Sequence, residues 1–158
     1  MAADAVPPTV HRVPRRTAED VNRSIRRSAL QRIATAAREG PTAIEARLRA
    51  LDREWDIERT LEANAAVASL LGLTLGALLH RRWFVFPAVV AGFLFQHAVQ
   101  GWCPPLPVFR RLGVRTAREI EEERTALKAI RGDFATVPKP TDQLTADQAT
   151  TALAAAAK

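Results

Sequence analysis

The chain has 158 residues, 23 Lys and Arg against 17 Asp and Glu, a net charge of +6 and one cysteine. A lone thiol excludes an intrachain disulfide. The basic excess is interleaved with acid, 12 basic against 10 acidic residues before residue 63 and 9 against 7 after residue 102; a nucleic-acid footprint is gathered on one face, so no nucleic-acid partner is expected.

Residues 1–16 read as a disordered arm, because Pro7, Pro8 and Pro14 interrupt any regular element and little is available to bury. The arm also lacks the apolar run of a secretory signal, which leaves membrane insertion to a later segment. Residues 17–62 read as a cytosolic helical segment. Thr17 with Glu19 and Asp20 opens a helix over about residues 18–38, and its basic character suits an anionic leaflet. Gly40-Pro41 stops it. A second helix starts near Thr42, with Ile44, Leu48, Leu51 and Trp55 on one seam. No Gly or Pro separates it from the apolar run beyond, so one long helix into a bilayer is expected.

Residues 63–102 read as a transmembrane helical hairpin. From Ala63 to Trp102 the only charged residues are Arg81 and Arg82, beside His80, and such a stretch has no polar face to offer water. The first segment, 63–79, measures about 26 Å as a helix, the short limit for a hydrocarbon layer about 30 Å thick. The second runs from Trp83 to Trp102, with an indole at each end where an aromatic belt lies. Pro87 either begins its helix or kinks it.

Residues 103–134 form an exit loop and a short helix. Cys103-Pro104-Pro105-Leu106-Pro107 ends the hairpin, Thr116-Ala117-Arg118-Glu119 is a capping box, and a helix follows to about Arg131. Residues 135–158 read as a flexible tail in which a frayed helix over 145–157 has little to pack against. The termini side of the membrane carries Arg47, Arg49, Arg53, Arg59, Arg110, Arg111, Arg115 and Arg118, against Arg81 and Arg82 in the turn. The positive-inside rule then puts both termini in the cytoplasm. A re-entrant hairpin anchored by Arg81 and Arg82 is the alternative.

Four groups of residues are candidates for a role. Gly72 and Gly76, with Ala88 and Gly92 on the second segment, have the small-residue spacing that lets helices approach in lipid; they serve either packing within one hairpin or self-association. Gln96, His97 and Gln100 are intramembrane polar groups that need a partner, with no acidic membrane partner evident. Trp83, Trp102, Arg81, Arg82, Arg110 and Arg111 are interface anchors. Cys103, where the second helix leaves the membrane, is a candidate redox or persulfide thiol open to cytosolic chemistry, with Arg110 or Arg111 placed to favour its thiolate. His11, His80 and His97 are dispersed and make no metal site with Cys103, and no catalytic constellation or cofactor motif is present.

The stretch from Leu61 to Thr116 resembles the transmembrane domain of YgaP-like inner-membrane proteins. The resemblance lies in Asn64-Ala65-Ala66 entering a glycine-spaced helix, a short basic turn, and a second helix ending in Gly101-Trp102-Cys103-Pro104 before Leu112-Gly113. The exit departs from the family's pattern by an inserted proline, Pro105. The resemblance implies a small bacterial inner-membrane hairpin, often dimeric and sometimes fused to a rhodanese that carries sulfur as a persulfide; this chain contains no rhodanese.

The sequence thus leads to an all-α, non-enzymatic bacterial inner-membrane anchor or interaction protein. It has a two-helix transmembrane hairpin with cytosolic amphipathic helices before and after it, and the bilayer and a homo-oligomer or protein partner as its companions. The alternative is a membrane sulfur or redox relay that uses Cys103 with a partner sulfurtransferase. A small channel lined by Gln96, His97 and Gln100 is a third reading.

Overall fold

The computed structural model describes residues 8–135, 137 and 146–157. Every regular element among them is helical: α1 (Arg12–Arg15), α2 (Glu19–Glu39), α3 (Pro41–Leu51), α4 (Ile57–Leu78), a 3-10 turn (Arg81–Phe84), α5 (Val85–Gln100), α6 (Leu106–Arg111), α7 (Ala117–Arg131) and α8 (Ala146–Ala157). They form two compact units, one of residues 1–27 and 55–120, the other of 28–54 and 121–158.

The first unit holds both helices that are long and apolar enough to cross a membrane, Ile57–Leu78 and Arg81–Gln100. No single helix runs from α3 into α4. Asp56 is the reason: its carboxylate accepts from the Arg59 backbone N–H at 2.8 Å and caps α4 from an extended backbone, a start signal that competes with helix continuation. The 3-10 turn reverses the chain. Pro87 then falls in the first turn of α5, where its missing N–H has no intrahelical carbonyl to serve, so it does not interrupt the ladder. At the far end, Gly101 takes a left-handed φ of 75° and its N–H reaches the His97 carbonyl at 2.8 Å, a C-cap that glycine adopts without Cβ strain.

Below these helices lies an apolar cluster of Val13, Ile57, Leu61, Cys103 and Leu106, with Trp102, Phe109 and Val114 packed against it. Two parts of this cluster depart from the sequence reading. From Pro8 onward the supposed disordered arm is ordered: Val13 is buried, and the Pro14 carbonyl accepts from Asn22 Nδ2 at 2.9 Å; residues 1–7 lie outside the described part. The proline-rich exit contains α6, which starts after Pro105 with Pro107 in its first turn. Proline suits that position because no N–H is needed there. The capping box is present, with Thr116 N–H donating to Glu119 Oε2 at 2.8 Å and Glu119 N–H to Thr116 Oγ1 at 3.2 Å.

The second unit is held by ion pairs and a modest apolar core in which Ile44, Leu48, Leu51 and Leu127 are buried. Glu123, its side chain fully enclosed, accepts from Arg32 Nη2 at 3.0 Å and Arg47 Nε at 2.7 Å. The tail expected to be flexible contributes α8, whose Ala156 carbonyl accepts from Lys128 Nζ at 2.7 Å. The segment between α7 and α8 falls mostly outside the described residues.

Candidate functional site

The end of the apolar helix pair opposite the turn carries a chain of polar side chains. His97 Nε2 lies 2.7 Å from Glu58 Oε2. A carboxylate only accepts, so a proton of this bond sits on Nε2. Arg12 donates to the other Glu58 oxygen at 2.8 Å and to the Ala98 carbonyl at 3.0 Å. His97 is 2% exposed, and its second ring nitrogen, Nδ1, is buried with no partner in hydrogen-bonding geometry. The Cys103 thiol lies within interaction range of the same ring. Arg12, Glu58, His97 and Cys103 are therefore neighbours, with the guanidinium and the imidazole on the two oxygens of one carboxylate and the thiol near the ring.

Each member is placed by a local feature. Arg12 sits on α1, which Thr17 secures by donating to the Val13 carbonyl at 2.9 Å. Glu58 is in the first turn of α4, fixed by the Asp56 cap, and His97 is in the last turn of α5. Gly101 turns the chain so that Cys103 returns beneath His97; a Cβ at Gly101 would meet the Arg12 backbone at 2.6 Å.

Cys103 also lines a cavity of about 360 Å³. Its walls are Leu61, Ala65 and Ala68 of α4 and Phe86, Val90 and Phe93 of α5, with Asn64 the one polar side chain and Pro104 and Pro105 at the exit. The thiol is only 4% exposed, which departs from the expectation of a thiol open to cytosolic chemistry: the exit segment folds back into the apolar cluster.

The other candidates fall in different places. Gly72 and Gly76 lie against the start of α5 and the turn before it, where added Cβ atoms would meet Phe86 at 2.8 Å and Phe84 at 2.7 Å. Gly92 has open space around it and Ala88 is exposed, so the four small residues do not share one seam. Gln96 is half-buried and Gln100 exposed. Trp83 is exposed and packs edge-on to Phe86, whereas Trp102 is partly buried against the apolar cluster. Arg81, Arg82 and Arg111 are exposed.

Arg110 does not behave as an interface anchor or as the companion of Cys103. It is 1% exposed, and all five of its N–H donors are used: Nε to Thr17 Oγ1, Nη1 to the Val114 carbonyl and Glu119 Oε2, Nη2 to Asn22 Oδ1 and Glu119 Oε1.

The residues missed from sequence are Glu58 and Arg12. Their signal was a matter of depth. Counting back from Leu78, Glu58 lies about 30 Å down α4; counting forward through the 3-10 turn and α5, His97 lies about 26 Å from Arg81. The acid partner of His97 was at its own level on the neighbouring helix. No group of three or more His, Cys, Asp or Glu side chains that could hold a metal occurs among the described residues. No family model, no curated protein and no solved structure matches this chain.

Proposed function

We propose that this chain is a bacterial inner-membrane anchor and interaction protein with no catalytic turnover of its own. In this reading α4 and α5 form a transmembrane hairpin whose two termini lie in the cytoplasm. The observation that carries it is the exposure of the apolar helices: Leu70, Leu78, Leu79, Val85 and Phe95 are between 64% and 77% exposed. In water each such side chain costs about 25 cal/mol per Å² of apolar surface, and a contiguous surface of this extent marks an interaction with lipid or protein. The exposed Arg81 and Arg82 at the turn, and the charged groups confined to the opposite end, match the two faces of a bilayer. The resemblance of Leu61–Thr116 to YgaP-like transmembrane domains belongs to this proposal and rests on the residues alone.

Expression in a bacterial host and carbonate washing of its membranes tests the reading. The protein is expected in the pellet, with a cysteine introduced at Arg82 labelled by an impermeant maleimide only from the periplasmic side. Release into the supernatant overturns the membrane assignment; labelling only from the cytoplasmic side overturns the full crossing in favour of a re-entrant loop.

A further inference from the structure

Resting on the membrane reading above, we propose that Cys103 is an S-acylation site: it accepts a long-chain acyl group from an acyl thioester, and the chain lies in the cavity between α4 and α5. The cavity beside the thiol and the buried histidine near it point there. The thiol lines the cavity. The neighbouring imidazole is buried, and its Nδ1 has no partner. The cavity is apolar and long: its wall on α5 runs from Phe86 to Leu94, about 12 Å of helix rise.

Its length and lining select the occupant. A pocket of about 360 Å³ is within the range of small-molecule sites, but a compact polar ligand has only Asn64 to meet in its side-chain lining. An acyl chain needs no polar partner along its length. It needs one reactive atom at the end where its carbonyl sits, and Cys103 is at that end. A cysteine beside a membrane helix is where S-acylation takes place in membrane proteins generally.

The step balances within these groups. Glu58 accepts from Nε2 and orients the ring near the thiol, so His97 is the group that holds the thiol proton while the sulfur attacks. The sulfur attacks the thioester carbonyl carbon and the new C–S bond forms. The bond to the donor sulfur breaks, and the departing thiolate takes the proton from His97. The products are acyl-Cys103 and a free donor thiol, with no change of oxidation state.

The test uses the full chain reconstituted in phosphatidylethanolamine–phosphatidylglycerol vesicles and given palmitoyl-coenzyme A, followed by intact-mass measurement. One palmitoyl increment per chain is expected, removed by neutral hydroxylamine and absent in Cys103→Ser. His97→Gln is expected to slow the reaction about 100-fold. Ala68→Trp, which fills the cavity and leaves the cysteine in place, is expected to abolish it; circular dichroism checks that both variants keep their helices. The proposal is overturned by no increment, by an increment that survives Cys103→Ser or hydroxylamine, by an adduct that reductant releases, or by equal rates in wild type and His97→Gln. Cys103→Ser should still pellet with carbonate-washed membranes, so loss of acylation with retention in the pellet separates this site from the anchor.

Discussion

Arg110 in the first unit and Glu123 in the second are both enclosed charges, of opposite sign, and they are stabilised in different ways. Arg110 is one cation facing one carboxylate, Glu119, with Asn22, Thr17 and the Val114 carbonyl completing its donors. Glu123 is an anion whose partners include the guanidinium groups of Arg32 and Arg47, side chains that remain 34% and 22% exposed. Losing the cation of the first leaves a carboxylate and three uncharged oxygens behind, whereas losing the anion of the second leaves guanidinium groups that also reach water. The number of ion pairs is therefore a poor measure of what each contributes; what matters is where the remaining partner can turn when one is removed.

The largest expected effect breaks that comparison directly. Arg110→Met strands the half-buried Glu119 together with the oxygens of Asn22, Thr17 and Val114, and a cost of about 4 kcal/mol is expected. Glu123→Gln keeps an acceptor for Arg32 and Arg47, whose guanidinium groups also reach water, so about 1–2 kcal/mol is expected. Thermal unfolding of the two variants in one detergent, followed by far-ultraviolet circular dichroism, ranks them. Equal costs, or a larger loss at Glu123, would show that enclosure is not what separates the two sites.

A contrast between closed and open surroundings applies to the glycines of the apolar pair, with a smaller effect. At Gly72 and Gly76 any side chain meets Phe86, Pro87 or Phe84, while at Gly92 nothing lies within 4 Å. Gly76→Ile is expected to cost about 1–3 kcal/mol through overpacking, and Gly92→Ile to leave the unfolding midpoint of the isolated chain close to wild type. Crosslinking in vesicles sharpens the distinction. If self-association exists, Gly92→Ile should disturb it and leave the chain folded, whereas Gly76→Ile should act first on the packing of α4 against the start of α5. A normal melt for Gly76→Ile would remove the close approach.

Much of the helical plan was legible from sequence because its signals are local. The Gly40 stop and the Thr116–Glu119 capping box each act within a few residues and fell where the spacing placed them, and the two charge-free runs fell within helices apolar enough to cross a membrane, the first of which starts earlier, at Ile57. The break before α4 was also local, written in Asp56, but the absence of Gly and Pro suggested continuity and hid it. The site was not legible, because its chemistry is paired across long separations: Arg12, Glu58, His97 and Cys103 meet only once two helices are set side by side and Gly101 has turned the chain. Composition alone made Arg110 a surface anchor, since nothing near it in sequence announces Asn22 or Thr17 as partners. Cys103 misled for the same reason. Its prolines marked an exit, and the apolar residues that enclose it come from α1 and α4 as well as α6.

The smallest effect is one of pH, and it tests whether the enclosed pair of the first unit is ionic in the folded chain. Burial alone would raise the Glu119 carboxyl, but the hydrogen bonds and charge of Arg110, with those of Thr116, outweigh it and hold the group below the ordinary carboxylate range. A folded value below the unfolded one means that the unfolded chain binds the extra proton first. Stability from this pair is then complete above the unfolded carboxylate value of about 4.3 and is lost as pH falls through the lower folded value. Glu119→Gln keeps an oxygen for the capping box and cannot titrate in this range. Subtracting its melting curve from that of wild type at each pH removes the contributions of the other carboxylates, provided they are unaffected. The difference between the two proteins should be widest near neutrality and should close in acid. A difference that does not change between pH 7 and pH 3 would mean that hydrogen-bond geometry, and not charge, makes Arg110 and Glu119 a stable pair.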